Sequence, residues 1–403
     1  MSVLDSFNAP GGLLQVGGLP LARLAQRAGQ TPFFVYDRSK LTERVRLLRQ
    51  MLAPSIRIHY SIKANPMPAL IHHMSTLVDG FDVASAGEMR MALDTGMAAS
   101  HISMAGPGKS DQDLRGAVGA GVTVTLESQF QLEAVERIGR ELGVTPRVAL
   151  RINPDFQPVN SGMRMGGGAR QFGVDAEKAP AMLRDIADRA LRFVGFHVFW
   201  GSQCLDSRTV IAAQRHVAEL VSQLADLAQD LEFVNMGGGF GIPYFDNEHT
   251  LDVGAVGAAM QDWVEPLRQR LPGTRLVLEF GRYLVGEAGL YVCRVVDKKV
   301  SRGETFLVTD GGLHHHLAAS GNFGQVLRRN FPVAIGNRMG GENLERCHVV
   351  GCLCTPLDRL ADDVTLPAAQ IGDYVIVGQS GAYARSASPA DFLSHPQPVE
   401  ILA

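Results

Sequence analysis

The sequence predicts an α/β protein in which a (β/α)8 TIM barrel is joined to a mainly antiparallel β domain. From Pro32 to about Phe280, short apolar segments typical of strands alternate with amphipathic segments typical of helices. Strands and helices that alternate at this spacing favour βα units and a parallel sheet. After Gly289 the segments become β-rich, glycine and proline punctuate them, and long helical patterns are few.

The barrel is expected to span residues 33–284. The number of βα units in this range favours a closed barrel over an open sheet. Its first strand is predicted at residues 33–36 and its last at residues 276–280. Helical patterns lie between the strands, for example at residues 129–142 and 210–231. The intervening strands are predicted at residues 56–60, 80–84, 101–105, 122–126, 148–152, 193–199 and 233–236.

The β domain is expected to comprise residues 285–403 together with residues 1–32. The opening segment, residues 11–16, precedes the barrel pattern and can add a strand to this domain. The other strands of the domain are predicted at residues 290–300, 305–308, 348–350 and 373–377.

Composition and net charge limit the classes of protein to which this chain can belong. The chain has 403 residues, 46% hydrophobic and 20% charged, with a net charge of −3. That balance gives no reason to expect binding to nucleic acid or to an anionic membrane surface. No apolar run reaches the roughly 18 residues that span a bilayer, and residues 1–10 lack the pattern of a secretory signal. Five cysteines do not suggest a disulfide framework, so the cytoplasm is the expected compartment.

Lys63 is the first candidate for chemistry. It follows the predicted strand at residues 56–60 and precedes the turn-forming pair Asn65-Pro66. In a barrel of this kind, the active site lies at the carboxyl ends of the strands. A lysine amine held there can form a Schiff base with a carbonyl, most commonly that of pyridoxal phosphate. The plainer alternative is a solvated surface lysine.

A run of glycines, from Gly237 to Gly239 with Gly241 close behind, follows the predicted strand at residues 233–236. Glycines allow backbone N–H groups to approach a phosphate closely. The spacing matches neither a dinucleotide fingerprint nor a P-loop, so a smaller phosphate is the better hypothesis. A flexible turn is the alternative.

Two further strand ends carry polar residues. Glu279 is followed by Gly281 and Arg282, and a carboxylate there can keep a pyridine nitrogen protonated and so make the ring an electron sink. His197 can stack on an aromatic cofactor, and Ser202 can bind phosphate. The alternatives are a structural ion pair for Glu279 and a core histidine for His197.

Cysteine and histidine clusters mark the β domain. One residue separates Cys352 from Cys354, which predicts that they point the same way on a strand. A thiol can return a proton to the carbanion of a decarboxylated substrate, whereas a buried small hydrophobe is the alternative. The run from His314 to His316 suggests a metal, but adjacent imidazoles seldom converge on one ion. We therefore predict no metal site.

Together these motifs resemble the fold-type III pyridoxal-phosphate decarboxylases, the group of the diaminopimelate and ornithine decarboxylases. The resemblance runs from about Pro32 to Phe392 and implies an alanine-racemase-like barrel. Several motifs in one order are more specific than any of them alone. The matching segments are residues 60–65, 81–88, 151–154, His197 with 201–203, 237–239, 279–282, Cys354 with Asp358, and 381–383.

The resemblance implies a role for each matching residue. Lys63 would carry pyridoxal 5'-phosphate, Glu279 would pair with its ring nitrogen, and His197 would stack on the ring. Cys354 would reprotonate the product. Asp82 and Glu88 would support the lysine and the ring edge. The phosphate would be bound by Ser202, Gly238, Gly239, Gly281, Arg282 and Tyr383.

The resemblance also implies a homodimer with the active site at the subunit interface. Cys354 and Asp358 would reach the site from the partner subunit, whereas Tyr383 would serve its own subunit's cofactor. The substrate-facing residues would include Asp358, Thr355 and His315.

The chain departs from the familiar members where they recognise the substrate. Thr355-Pro356 stands where those enzymes carry an acidic residue for a distal amine, and the segment from His314 replaces one that carries an arginine for a distal carboxylate. The variant motif is most similar to branches associated with exopolysaccharide and exosortase gene clusters or with carrier-linked aminoacyl groups. A modified or carrier-linked amino acid is therefore the predicted substrate.

Three alternatives remain. Diaminopimelate decarboxylation in lysine biosynthesis is the first. An alanine-racemase-like isomerase is disfavoured by Glu279, because racemases of this fold place an arginine at the ring nitrogen. A non-catalytic regulator with the same fold is disfavoured by the joint presence of Lys63, Glu279 and Cys354.

Overall fold

The computed structural model describes residues 3–156, 161–228, 230–245, 247–323, 325 and 327–403. The chain divides into two compact units. The barrel unit comprises residues 44–242 and 249–283, and the β unit comprises residues 1–43, 243–248 and 284–403. Among the described residues, the helices are too short or too polar to cross a membrane.

The elements are numbered in chain order. The strands are β1 Gln15–Val16, β2 Leu19–Pro20, β3 Phe33–Tyr36, β4 Ile56–Ser61, β5 Gly80–Val83, β6 Ile102–Met104, β7 Thr123–Leu126, β8 Arg147–Asn153, β9 Ser161–Arg164, β10 Val174–Asp175, β11 Arg192–His197, β12 Gly201–Cys204, β13 Phe233–Asn235, β14 Arg275–Phe280, β15 Gly289–Ser301, β16 Glu304–Thr309, β17 Val333–Ile335, β18 Leu344–Val350, β19 Arg359–Pro367, β20 Tyr374–Val377 and β21 Val399–Leu402. The helices are α1 Leu21–Ala28, α2 Arg38–Met51, α3 Pro68–Ser75, α4 Ala86–Asp94, α5 Asp111–Ala120, α6 Gln129–Leu142, α7 Ala179–Ala187, α8 Ser207–Leu224, α9 Val253–Ala259, α10 Gln261–Arg270 and α11 Arg282–Val285.

Within the described residues, eight parallel strands close into a barrel in the order β4, β5, β6, β7, β8, β11, β13 and β14, and β14 returns to β4. The predicted (β/α)8 barrel is confirmed. The strands are buried on both faces, as parallel strands covered by helices must be. The short strand β10 adds to the outside of β8.

Hydrogen bonds to N-cap side chains determine where helices α5 and α6 begin. Ser128 accepts a hydrogen bond from the N–H of Gln131 and begins α6, and Ser110 forms a capping box with Asp113 at the start of α5. The apolar stripe of α6, which includes Leu132, Val135 and Ile138, is buried. Such helices cover the barrel and leave the carboxyl ends of the strands open for polar side chains.

The β unit contains the larger antiparallel sheet, in the order β17-β20-β15-β16-β18-β19, with β3 between β15 and β21. The β16–β18 and β21–β3 pairs are parallel, and the other pairs of this sheet are antiparallel. The predicted, mainly antiparallel second domain is therefore confirmed. Its core includes Phe33, Val35, Leu290, Val292 and Ile376.

The structure corrects the start of the barrel. The predicted first barrel strand, Phe33–Tyr36, instead pairs with β15 and β21 in the β unit. All of its residues are buried, and a strand that is apolar on both faces gives the same pattern in either sheet. The opening segment also joins the β unit, but its strand Gln15–Val16 pairs with Leu19–Pro20 rather than with the large sheet.

Candidate active site

Lys63 lies at the carboxyl end of β4, in the short 3-10 helix Ile62–Ala64. Its side chain is exposed, and its Nζ lies 5.5 Å from the centre of the Phe199 ring. The turn that follows is fixed by Asn65, whose carbonyl accepts from the Tyr60 hydroxyl at 2.9 Å and whose Oδ1 accepts from the N–H of Met67 at 3.0 Å. The amine is thus presented from a rigid turn at the expected end of the barrel.

Glu279 is the last residue but one of β14 and is buried. Its Oε1 accepts from Ser61 Oγ at 3.1 Å, and its Oε2 accepts from Asn235 Nδ2 at 3.0 Å and lies 3.1 Å from His197 Nε2. Burial raises the pKa of Glu279, but His197, Lys63 and Arg151 together outweigh burial and hold that pKa well below its usual value. Glu279 is therefore a carboxylate at neutral pH.

Asp82, at the same end of β5, faces the same cluster. Its Oδ1 accepts from Ser103 Oγ at 2.5 Å and from Asn235 Nδ2 at 3.5 Å. Its Oδ2 lies 3.5 Å from His59 Nδ1. The Asn235 amide thus joins Asp82 to Glu279, and His197 contacts Glu279.

Glu88 lies at the start of α4. The Ser85 side chain accepts from the N–H of Glu88, and Glu88 Oε2 accepts from the N–H of Ala84 at 2.8 Å. Burial raises the pKa of Glu88, while the Ala84 N–H and the charge of Lys63 oppose that rise. Lys63 is thus close enough to act on Glu88, and the role of Glu88 in supporting that lysine stays a prediction.

The glycine run follows β13 and is buried. Gly237 and Gly239 have φ values of +72° and +79°, which favour glycine. A Cβ at Gly238 would lie 1.8 Å from the carbonyl oxygen of Glu279, so packing alone also demands glycine there. Among the described residues, no acceptor takes the N–H groups of Gly238 and Gly239. Two buried N–H groups left without an acceptor suit an anion.

The other predicted phosphate ligands of the barrel unit lie on neighbouring elements. Gly281 and Arg282 directly follow β14, and Arg282 begins α11. Ser202 lies in β12, whose neighbour Gln203 donates from Nε2 to the Ile242 carbonyl at 2.6 Å and accepts the N–H of Ile242 at 3.2 Å. Gln203 thus ties β12 to the chain just after the glycine run.

Sequence reasoning missed Asn235, which organises this cluster. Its amide donates to Glu279 and Asp82, and its Oδ1 accepts the N–H of Gly237 at 2.9 Å. A polar residue that ends an apolar strand directly before a glycine run was the available signal. Arg151 was also not assigned a role. It is buried, pairs with Glu127 at 3.3 Å and lies over the Phe172 ring.

A large cavity at the opposite ends of the barrel strands is a poor candidate for the site. It has a volume of about 1120 Å³, and its lining includes Arg192, Glu232 and Arg275. Glu232 pairs with Arg192 at 2.9 Å and with Arg147 at 2.6 Å. The cavity lies at the amino ends of the strands, whereas the active sites of such barrels lie at the carboxyl ends. The polar cluster at the carboxyl ends of the strands is the candidate active site.

The remaining predicted site residues lie in the β unit. Cys352 and Cys354 do not lie on a strand as predicted, because β18 ends at Val350 and residues 352–357 form bends and turns. Cys354 is exposed, and Thr355 beside it is half-buried. Tyr383 is half-buried and has a φ of +53°.

Asp358 does not present its carboxylate to a substrate. It is buried, and its two oxygens accept the N–H groups of Leu313 at 2.6 Å and Leu353 at 2.8 Å. Its backbone oxygen accepts the N–H of Gly351 at 3.0 Å. We therefore assign Asp358 to closing the loop of residues 351–358, which carries Cys354, rather than to substrate binding.

His315 is likewise enclosed within its own unit. Its Nδ1 lies 3.1 Å from the Tyr291 hydroxyl, and its Nε2 lies 3.0 Å from the Pro396 carbonyl oxygen. Burial, aided by the neighbouring His314, lowers the pKa of His315 to about 3. A neutral imidazole with both nitrogens engaged does not fit the predicted substrate role.

Comparison with known proteins decides the family. Residues 38–286 match the family model described as pyridoxal-dependent decarboxylase, pyridoxal binding domain. The chain belongs to the pyridoxal-dependent decarboxylases. This decarboxylase is 38% identical to L-glutamyl-(BtrI acyl-carrier protein) decarboxylase of Niallia circulans. The match extends over 380 residues, which are 93% of this chain and 89% of that protein. It is 31% identical over 364 residues to diaminopimelate decarboxylase of Campylobacter jejuni, with 89% and 87% covered.

Solved structures agree. The crystal structure of Helicobacter pylori diaminopimelate decarboxylase complexed with L-lysine has a TM-score of 0.84 and 26% identity to this decarboxylase, covering 95% of this chain and 94% of that one. The predicted family, fold and enzyme class are confirmed. The alternative of an alanine racemase is not supported.

The residues present fit the family's cofactor, pyridoxal 5'-phosphate. The unclaimed N–H groups of Gly238 and Gly239 suit its phosphate, and the ionised Glu279 suits a protonated pyridine nitrogen. Lys63 supplies an amine whose charge acts on both Glu88 and Glu279: it opposes the rise in the pKa of Glu88 and helps to lower the pKa of Glu279.

Proposed function

We propose that this decarboxylase removes the α-carboxylate from an aminoacyl group whose side-chain end is covalently modified or held by an acyl carrier protein. The observation that carries the proposal is the 38% identity, over 93% of the chain, to a relative named for a glutamyl group on an acyl carrier protein. Diaminopimelate decarboxylases match at lower identity, such as 31% for that of Campylobacter jejuni.

The loop that carries Cys354 supports the same substrate class. Residues 351–358 contain one acidic side chain, that of Asp358, and both of its oxygens accept backbone N–H groups. Thr355 stands where the resembling enzymes place an acid for the distal ammonium. The loop therefore offers no exposed carboxylate to a free ornithine, lysine or diaminopimelate side chain, whose ammonium would remain unpaired.

The chemistry also fixes where a carrier can be attached. Pyridoxal phosphate, when bound, supplies an aldehyde that captures the substrate amine and a ring that accepts the electron pair left by carbon dioxide. Both the α-amine and the α-carboxylate must then be free. A glutamyl group would have to be carried through its side-chain carboxyl.

Different residues of the barrel unit would hold the cofactor, bind its phosphate and support its ring. Lys63 is the amine that would hold the cofactor, and the N–H groups of Gly238 and Gly239 would bind its phosphate. Glu279 would keep a proton on the ring nitrogen, because His197 and Asn235 hold it as a carboxylate in a fixed orientation. The acidic group that supports the ring therefore stays charged at neutral pH.

We further propose that Cys354 Sγ returns the proton to the carbon that lost carbon dioxide, in a cytoplasmic homodimer where this cysteine serves the partner subunit. Cys354 is exposed on the surface of its own unit, and Leu357 in the same loop is 61% exposed. Both side chains are therefore accessible from outside their own unit, as a residue that serves the partner subunit must be.

Release of carbon dioxide from two classes of substrate tests the proposed specificity. We expect a carrier protein loaded with a glutamyl group through the side-chain carboxyl to be decarboxylated at least about 100-fold faster, in kcat/KM, than free meso-diaminopimelate, ornithine or lysine, because a binding difference of a few kcal/mol gives that ratio. The unloaded carrier with free glutamate is the control. Ordinary enzyme rates on free diaminopimelate would contradict the proposal and support lysine biosynthesis instead.

Substitution of Cys354 tests the proton donor. We expect Cys354→Ala to lower kcat by about 10²–10⁴-fold, the usual range for a positioned acid, and to divert product to an aldehyde through protonation at the wrong atom. Product analysis by mass spectrometry in heavy water measures both effects. Cys354→Ser serves as the conservative variant and should retain more of the clean amine. Full activity with clean amine in Cys354→Ala would show that another group donates the proton.

A further inference from the structure

Three side chains of the β unit converge although they are distant in the sequence. His314 follows β16, Cys352 follows β18, and His395 precedes β21. One ligand atom from each can be chosen so that all three lie within 4.8 Å of one another. Cys352 Sγ lies 3.9 Å from His395 Nδ1 and 4.0 Å from its Nε2.

His314 stands apart from its histidine neighbours. His315 engages both ring nitrogens, and His316 Nε2 lies 2.9 Å from Ser380 Oγ while its Nδ1 accepts the N–H of Ala319 at 3.3 Å. His314 is 0% exposed, yet among the described residues neither of its ring nitrogens has a hydrogen-bond partner. A fully buried imidazole without a partner is costly unless a ligand completes it.

We propose that His314, Cys352 and His395 bind a divalent transition-metal ion of the class of Zn²⁺. One thiolate and two imidazoles form a donor set that suits this borderline-soft ion. Tetrahedral bonds of the usual lengths place such donor atoms about 3.3–3.6 Å apart, so small side-chain rotations close the observed spacing. A fourth position remains for water.

This proposed site differs from the expectation, drawn from the sequence, that the histidine run binds no metal. Adjacent imidazoles do diverge, and His315 and His316 point to other partners. His314 instead meets two residues that no spacing rule connects to it. Binding of the ion would displace the proton of the Cys352 thiol.

A metal here would hold the loop that presents Cys354. Cys352 lies in the loop of residues 351–358, two residues before Cys354, whereas His395 lies in the C-terminal segment. The ion would tie these two segments to the segment that follows β16. The plain alternative is a neutral thiol that donates to the Asp310 carbonyl oxygen at 3.7 Å. The two alternatives differ in whether the purified protein retains an ion at these three side chains.

Metal titration of the purified holoenzyme tests the proposal, with Zn²⁺ for stoichiometry and Co²⁺ for its visible bands. After chelation, reloading and gel filtration, we expect the wild type to retain one equivalent per subunit and to show the intense bands of tetrahedral thiolate coordination. Cys352→Ser and His395→Gln should bind the ion about 100-fold more weakly or worse. Cys354→Ser and His348→Gln, which change a neighbouring thiol and a more distant imidazole, should bind like the wild type.

Circular dichroism of each variant establishes that it is folded, and half-buried His395 is the position where a substitution is best tolerated. The proposal is overturned if the wild type retains no ion after gel filtration. It is also overturned if folded Cys352→Ser and His395→Gln bind Co²⁺ with unchanged affinity and spectrum. Neither result would bear on decarboxylation, so the outcome is separate from that of the proposed function.

Discussion

Lys63→Ala is expected to lower the rate of carbon dioxide release by at least about 1000-fold and to leave the purified protein without bound cofactor absorbance. Lys63 would hold the cofactor and move protons at the reacting amine, and one positioned acid or base alone is worth about 10²–10⁴-fold. Its side chain is exposed, so its removal should leave the fold intact. The measurements are turnover, the absorbance spectrum and the thermal unfolding temperature.

Lys178→Ala provides the matched control on the same barrel. The Lys178 side chain is 75% exposed and pairs with Asp175 at 3.3 Å, and such surface pairs contribute little to stability. Turnover and spectrum should match the wild type. A Lys63→Ala variant that kept the spectrum and a tenth or more of wild-type turnover would exclude Lys63 as the cofactor lysine.

Glu279→Gln is expected to reduce kcat by about 10²–10³-fold, the scale observed when one preorganised electrostatic partner is removed from an active site. Glutamine keeps the size and can still accept from Ser61, but it carries no charge to hold a proton on the ring nitrogen. Cofactor should remain bound, because the amine and the phosphate cradle are unchanged. Steady-state kinetics with a cofactor spectrum measures both parts.

Glu265→Gln is the control for this substitution. Its side chain is 61% exposed and lies in an i,i+3 pair with Arg268. We expect unchanged kcat and KM. If Glu279→Gln matched this control in kcat, the carboxylate would have only a structural role, the plainer alternative considered for this residue.

Much of the fold follows from the sequence because periodicity reports burial. The alternation of strands and helices predicted the barrel, and helix α6 lies at the predicted residues. Phe33–Tyr36 was assigned to the wrong sheet because periodicity does not identify a strand's partner. Strands β19 and β21 were not predicted, since their mixed burial patterns give no clear alternation.

The sequence predicted which residues stand at the carboxyl ends of the strands, but not the hydrogen-bond partners of residues in the loops. Lys63 and Glu279 were found from their positions at strand ends. Asp358 and His315 were assigned to the substrate, but backbone groups and Tyr291 engage them. Such contacts depend on loop closure, which leaves no periodic signal in the sequence. Asn235 was missed although its place at the end of an apolar strand, directly before the glycine run, is visible in the sequence.

Borohydride reduction of the holoenzyme, followed by peptide mass mapping, tests the central claim most directly. The reagent fixes the cofactor on the lysine that holds it. The account predicts a phosphopyridoxyl group on Lys63, with the lysines at positions 40, 109, 178, 298 and 299 unmodified. Modification at one of those positions, with Lys63 recovered free, would contradict it.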